Sequence, residues 1–212
     1  MHAPKERLRL FALLFIIGLP FAASAADEPS AVGAVDRVEN ECKIVAADTV
    51  TTAKIGTPVH LPDELRTGPG GRLRVTFRDD TVLTLGENAS VVINRYVYDP
   101  DQNIGETLIQ TTKGAFLFAS GRIKGLKQHN IAVSTPVADI GVRGTQFWGG
   151  PLDKYGVLVL EGDITVSNQA GRVALSGAGQ GTDIPSPLDP PGEVKPWSEE
   201  KIARAVATVA LH

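Results

Sequence analysis

The chain has 212 residues, with 21 Lys and Arg against 24 Asp and Glu for a net charge of −3, and 42% of its residues are hydrophobic. Its mild acidity gives no electrostatic case for a nucleic-acid partner, and its length suits one domain with a sizeable core plus tails. Cys42 is the only cysteine, so an internal disulfide is excluded and stability must come from packing.

The first element is a targeting segment. Lys5, Arg7 and Arg9 form a positive start, Leu10 to Phe21 is an apolar run broken by Gly18 and Pro20, and Ala23-Ser24-Ala25 supplies the small residues of a signal-peptidase site. Cleavage is expected after Ala25, making 1–25 a signal peptide. An uncleaved anchor is the weaker alternative, because a spanning helix needs about 20 apolar residues. Processing removes three basic residues and Glu6, leaving 187 residues with a net charge of −5. The expectation is an exported protein, periplasmic or extracellular, with no transmembrane segment after signal removal. Cys42 lies well past the cleavage site, so it is not a lipoprotein cysteine; a small buried residue is preferred over a reactive thiol or an intermolecular bridge.

From Val32 to Thr182, short runs of Val, Ile, Thr, Phe and Tyr alternate with Gly, Pro, Asn and Asp clusters. Many short strands at close spacing predict an all-β sandwich, barrel or solenoid. The clearest unit is a hairpin over Leu73 to Leu85. Leu73, Val75 and Phe77 alternate with Arg72, Arg74, Thr76 and Arg78, which gives one buried face. A three-residue loop, Arg78-Asp79-Asp80, pairs Val75 with Leu83 and Leu73 with Leu85. A two-residue loop would turn Leu83 and Leu85 outward. In the longer loop Asp80 takes the left-handed position that glycine usually fills.

Further strands are expected at Val91–Tyr98, Thr107–Thr112, Ala115–Ala119, Ile131–Ser134, Thr145–Trp148, Val157–Leu160, Ile164–Ser167 and Arg172–Leu175. Gly162-Asp163 reads as a tight hairpin turn, and Gly177 to Gly181 as the end of the β region. Residues 184–196 carry five prolines and read as a stiff extended linker. Residues 197–211 then form a short helix, with Ser198 as its cap and Glu199 and Glu200 in the first turn. Ile202, Ala205, Val206 and Val209 make an apolar stripe that either docks on the β domain or recruits a partner; docking is the preferred reading.

Chemistry-bearing patterns are sparse. His2, His60, His129 and His212 are isolated, so no zinc site is expected, and no nucleophile elbow or phosphate loop is present. Asp99-Pro100-Asp101-Gln102-Asn103-Ile104-Gly105 has the alternating oxygen ligands of a calcium loop, but Ile104 stands where Gly is needed and Gln110 replaces the closing Glu. A polar hairpin loop is preferred there. No cofactor and no metal are expected.

Three blocks in order carry a resemblance. The first is Thr67-Gly68 followed by the Leu73–Leu85 hairpin, and the second is Thr135-Pro136 with Val142-Arg143-Gly144-Thr145-Gln146-Phe147. The third is Val159-Leu160-Glu161-Gly162-Asp163-Ile164-Thr165-Val166. Together they resemble the FecR domain family, and the resemblance implies an extracytoplasmic binding and signalling module over residues 33–183 rather than an enzyme. The family most often has Asp-Gly where this chain has Asp79-Asp80. In the best-known members the domain is the periplasmic half of an anti-sigma regulator joined through a membrane helix to a cytoplasmic domain. A cleavable signal in place of that helix makes the ligand- or protein-binding role the one that carries over.

Two groups of candidate site residues follow. Arg66, Arg72, Arg74 and Arg78 form a local basic stripe suited to an acidic partner surface, or else a solvated face paired with neighbouring acids. Arg143, Gly144 and Thr145 are the family's most specific tripeptide. Gly144 is expected to allow a conformation that a Cβ would block. Arg143 either bonds strand carbonyls or contacts a ligand, with structural use preferred. The leading expectation is a non-enzymatic binding module acting on an envelope or secreted protein partner; the alternative is a structural β scaffold of an adhesin or envelope assembly.

Overall fold

The computed structural model describes residues 30–47 and 49–212, so the expected signal segment and its cleavage site lie outside the described residues. The described residues are all-β apart from one 3₁₀ turn and one C-terminal helix. The first half runs through β1 (Gly33–Glu39), β2 (Cys42–Ala46), β3 (Thr49–Thr52), β4 (Pro58–Val59), β5 (Glu64–Thr67), β6 (Arg72–Phe77), β7 (Val82–Leu85) and β8 (Ser90–Asp99). The second half has β9 (Ile104–Lys113), β10 (Phe116–Ala119), a 3₁₀ turn (Arg122–Gly125), β11 (Gln128–Ser134), β12 (Asp139–Pro151), β13 (Tyr155–Asn168), β14 (Gly171–Ser176), β15 (Gln180–Ile184), β16 (Lys195–Pro196) and α1 (Glu199–Ala207).

These strands form one curled sheet around a spine, the long antiparallel hairpin of β12 and β13. One edge of β12 is shared. Its first residues, Asp139 to Gly141, pair with β11, while Gln146 to Gly149 pair with β10. Two arms therefore leave the spine, one ordered β11-β9-β8-β5-β2-β3 and the other β10-β7-β6-β1-β4. They curl toward each other over a common core that includes Leu65, Ile93, Ile109 and Val133 from the first and Leu73, Val75, Leu83 and Phe118 from the second. Phe77 of β6 stacks on Tyr96 of β8 with ring centroids 5.2 Å apart. Alternation places these side chains inward, because a strand buried on one face presents every second residue to it.

The Leu73–Leu85 hairpin has the expected register: Val75 faces Leu83, Leu73 faces Leu85, and Phe77 N–H donates to Thr81 O at 2.8 Å. Leu83 and Leu85 are fully buried, and Asp80 has φ +67°. Arg74 lies on the face opposite the core. It is half-buried rather than exposed, because β1 lies alongside and Asp36 accepts its Nε at 2.8 Å.

Three further expectations are corrected. Gly162-Asp163 is no hairpin turn but the middle of the continuous strand β13, where Gly162, at φ +79°, faces a bulge in β12. The β region does not end at Gly181, since β15 returns along β13 and β16 pairs with β15. Residues 185–194 are no free spacer either. Gly192 N–H donates to Asp183 O at 2.9 Å and Asn168 Nδ2 to Asp189 O at 2.7 Å, folding the prolines back on the sheet. Among the described residues, no helix is long and apolar enough to cross a membrane.

Candidate interaction groove

The point where the two arms part is built from the Arg143-Gly144-Thr145 tripeptide. β12 is irregular between Arg143 and Gln146, and Gly144 there has φ +62°. An extra residue in one strand of a pair bends it and redirects side chains. On one side of the bulge Ile140 and Val142 point into the core; on the other, Phe147 does. Thr145 is buried and locks the bulge. Its Oγ1 donates to Asp163 O at 2.6 Å, its N–H donates to Ser120 Oγ at 2.9 Å, and its carbonyl accepts from Ser120 N–H at 3.0 Å. Gly162 is required opposite, because a Cβ there would stand 2.5 Å from Gly144 O.

Arg143 behaves differently from its two neighbours. It is exposed and makes no ion pair and no bond to a strand carbonyl among the described residues, so the carbonyl-bonding role has no counterpart in the structure. Its side chain borders an open groove of about 760 Å³ on the side of the spine turned away from the core. Lys124, His129, Asn130, Thr165, Ser167 and Arg172 line the same groove. His129 Nδ1 lies 2.6 Å from Leu126 O, so Nδ1 carries a proton as donor and Nε2 is left free.

The other four arginines do not converge. Arg66 stands on β5, in the opposite arm from β6, and binds Glu64 through two bonds of 2.7 and 2.6 Å. Arg74 is held by Asp36. Burial raises the Asp36 carboxyl, but hydrogen bonds from Arg74 and Thr76 outweigh it and leave the group below the usual carboxylate range. Arg72 donates to Gly71 O, and Arg78 lies over the Tyr96 ring at 5.8 Å. The stripe is thus divided between arms and partly neutralised.

Asp99 does not present a free carboxylate to its loop, since it accepts Gln102 N–H at 3.0 Å and Gln102 Nε2 at 2.8 Å. Among the described residues no group of three or more His, Cys, Asp or Glu side chains is placed to hold a metal ion.

Residues 63–165, which include the hairpin, the bulge and most of the groove, match the family described as FecR protein. The chain carries a FecR domain. No curated protein matches the chain. Two solved structures from Parabacteroides distasonis ATCC 8503, both described as a "putative anti-sigma factor", are similar to this chain at 21% identity. One has a TM-score of 0.50 and the other of 0.49, each covering 66% of this chain. The chain spans 62% of the length of those structures. Arg172, on the far side of the groove, lies beyond the matched residues.

Lys124, His129 and Arg172 were not singled out together by sequence reasoning. They come from three separate elements, and only the pairing of β12 with β11 and of β13 with both β12 and β14 brings them around one depression. A Lys, His or Arg at each of these positions is the sole signal the sequence offers.

Proposed function

We propose that this protein is an exported, non-enzymatic binding module that works through protein–protein contacts in the bacterial envelope, in a signalling-related regulatory setting. The observation that carries this reading is the FecR domain over residues 63–165. The fold likeness to a protein described as an anti-sigma factor supports the regulatory setting. The unpaired, open groove beside Arg143 supports a binding role for this copy of the domain.

The test is cell fractionation followed by cross-linking of a tagged copy in the envelope fraction, with mass spectrometry of the conjugates. Recovery of one protein partner above a tag-only control is expected. A cytoplasmic location, or no enriched partner, overturns the reading. The second reading, a structural β scaffold, is favoured by the fully exposed strand β3 at the end of one arm, whose outer edge has no partner strand among the described residues. A scaffold would be recovered in a stoichiometric assembly with adhesin or envelope components rather than with a regulatory partner.

A further inference from the structure

The groove has a distinct floor and rim. Across the sheet, Leu108, Ala132, Gly141, Thr165 and Ala174 stand in one register row on β9, β11, β12, β13 and β14. Three of the five are Ala or Gly, so this row is low; its Gly141 and Thr165 line the groove, where Asn130 and Ser167 add polar side chains. Leu108 is an exposed large apolar residue at its end. Lys124, Arg143 and Arg172 stand around this floor, and none makes an ion pair among the described residues. No carboxylate lines the groove. Four carboxylates of β9, β12 and β13 share the outer face: Asp163 stands opposite Arg143 in the ladder without pairing to it, Asp139 accepts from Ser134 Oγ at 2.7 Å, Glu106 pairs with Arg95, and Glu161 stands opposite Gln146.

The protein as a whole is acidic, so a cluster of unpaired cations is a local reversal of its field. The spacing of the cations decides what they fit. Arg143 on β12 pairs with Asp163, and Arg172 on β14 with Ser167, four residues further along β13, so the two arginines stand two strands apart. With about 3.3 Å per residue and about 4.8 Å per strand, the two α-carbons are roughly 16 Å apart. One phosphate cannot bridge that span. An extended peptide advances about 13 Å in four residues, a span the long arginine side chains can close on; residues four apart share one face, and a small side chain midway between them would lie on the Ala-Gly row.

We propose that the groove binds an extended acidic segment of the partner protein, with two carboxylates four residues apart, on one face of the strand, received by Arg143 and Arg172. This rests on the protein-binding reading above and names the chemistry of the partner. Lys124 and the free Nε2 of His129 flank the Arg143 end.

The test is an NMR titration of the isotopically labelled protein with a synthetic 11-residue peptide carrying two Glu four residues apart among Ala, Val and Thr. A matched peptide with Gln for Glu, inorganic phosphate and polyphosphate are titrated alongside. Amide shifts confined to Ala132, Gly141, Thr165 and Ala174 are expected with the Glu peptide, with affinity falling as salt rises. Arg143→Ala and Arg172→Ala are each expected to weaken it by about fivefold, the upper end for an exposed ion pair. Arg204→Ala, on the distant helix, is expected to leave it unchanged. Equal binding of the Gln peptide, shifts elsewhere, or no effect of either groove variant overturns the proposal. Polyphosphate binding more tightly than the peptide at the same residues assigns the groove to polyanions and also overturns it. Should the Arg143→Ala, Arg172→Ala double variant still capture the envelope partner undiminished, the groove inference falls while the protein-binding function stands.

Discussion

Tyr96 and Asp79 hold each other from opposite arms of the sheet. The tyrosine hydroxyl donates to Asp79 Oδ1 at 2.9 Å and accepts from the Asp79 backbone N–H at 3.0 Å. Asp79 is fully buried in the β6–β7 turn, and its carboxylate also accepts from Thr81 Oγ1 at 2.7 Å and from Ile123 N–H at 3.1 Å. One side chain thus ties the hairpin turn, β8 and the 3₁₀ turn. Burial, and then the charge of Asp79, push the Tyr96 phenol well above its ordinary pKa.

Tyr96→Phe removes one bond to a buried carboxylate and is expected to lower stability by about 1–3 kcal/mol in urea unfolding. Asp79→Ala strands three donors and the hydroxyl of Tyr96 together, so its midpoint is expected to fall further than that of Tyr96→Phe. An Asp79→Ala protein as stable as the parent would show the network to be incidental.

Much of the hairpin was legible because its signals agree. Alternation of Leu73, Val75 and Phe77 with arginines and threonine, together with the loop length, fixed one register that buries every apolar side chain. The role of Asp79 was not legible. A turn aspartate normally faces water, and only the closure of the arms, 17 residues apart in sequence at Tyr96, encloses it. Gly162 was misread for a related reason. Gly-Asp between two apolar runs is a turn signal, but here the positive φ serves a bulge across from Gly144. The groove was illegible because its cations lie on separate strands and the 3₁₀ turn, joined only by pairing.

Asp80→Gly is expected to stabilise the protein by about 0.5–1 kcal/mol. Its φ of +67° strains a residue with a Cβ, whereas glycine adopts it freely. The ion pair with Arg122 that would be lost is exposed on both sides and contributes little. An unchanged or lower urea midpoint would contradict this.

Gly162→Ala and Gly144→Ala should separate in magnitude. Both positions have positive φ, so each substitution is strained by about 1 kcal/mol. At Gly144 the new Cβ meets only Lys124 Cδ at 3.4 Å, which can move. At Gly162 it meets backbone, Gly144 O at 2.5 Å, which cannot move without opening the bulge. Gly162→Ala is therefore expected to cost about 2 kcal/mol more than Gly144→Ala. Equal melting shifts would mean the bulge relaxes at no cost.

Cys42 is expected to be silent in the folded protein. Burial pushes its thiol up to about 11, and Sγ contacts Arg72 O at 3.4 Å. At pH 8 the thiolate, which is the reactive form, should be about a hundredfold scarcer than in the unfolded chain. Reaction with a disulfide reagent should therefore be slow until urea is added. The same shift sets the sign of one pH effect. The folded state favours the neutral thiol, so its contribution is complete below about 8.5, the unfolded value, and is lost as pH rises toward 11. Rapid labelling of the native protein at pH 8 would place Cys42 at the surface.

The C-terminal helix is a clasp on the spine. Ala205 and Val209 are buried against Trp148, Leu158 and Trp197, on the same outward side whose other half is the groove. Trp148 Nε1 donates to Thr208 Oγ1 at 2.9 Å, joining residues 60 apart. Thr208 O also sits where Gly86 leaves room, since a Cβ there would be 2.4 Å away. Lys201 Nζ lies 3.8 Å from the Trp197 ring centroid and bonds Asp183 at 2.7 Å. Removing residues 198–212 uncovers an apolar surface around two tryptophans, and the lost burial of Val209 and Ile202 alone is worth about 3 kcal/mol. The truncated protein should melt earlier and its tryptophan emission should shift to the red. Thr208→Val isolates the hydrogen bond: it keeps the shape, strands the indole N–H, and should cost about 1–3 kcal/mol. If truncation leaves both melting and emission unchanged, the helix is not seated on Trp148 in solution, and its apolar stripe is free to recruit a partner.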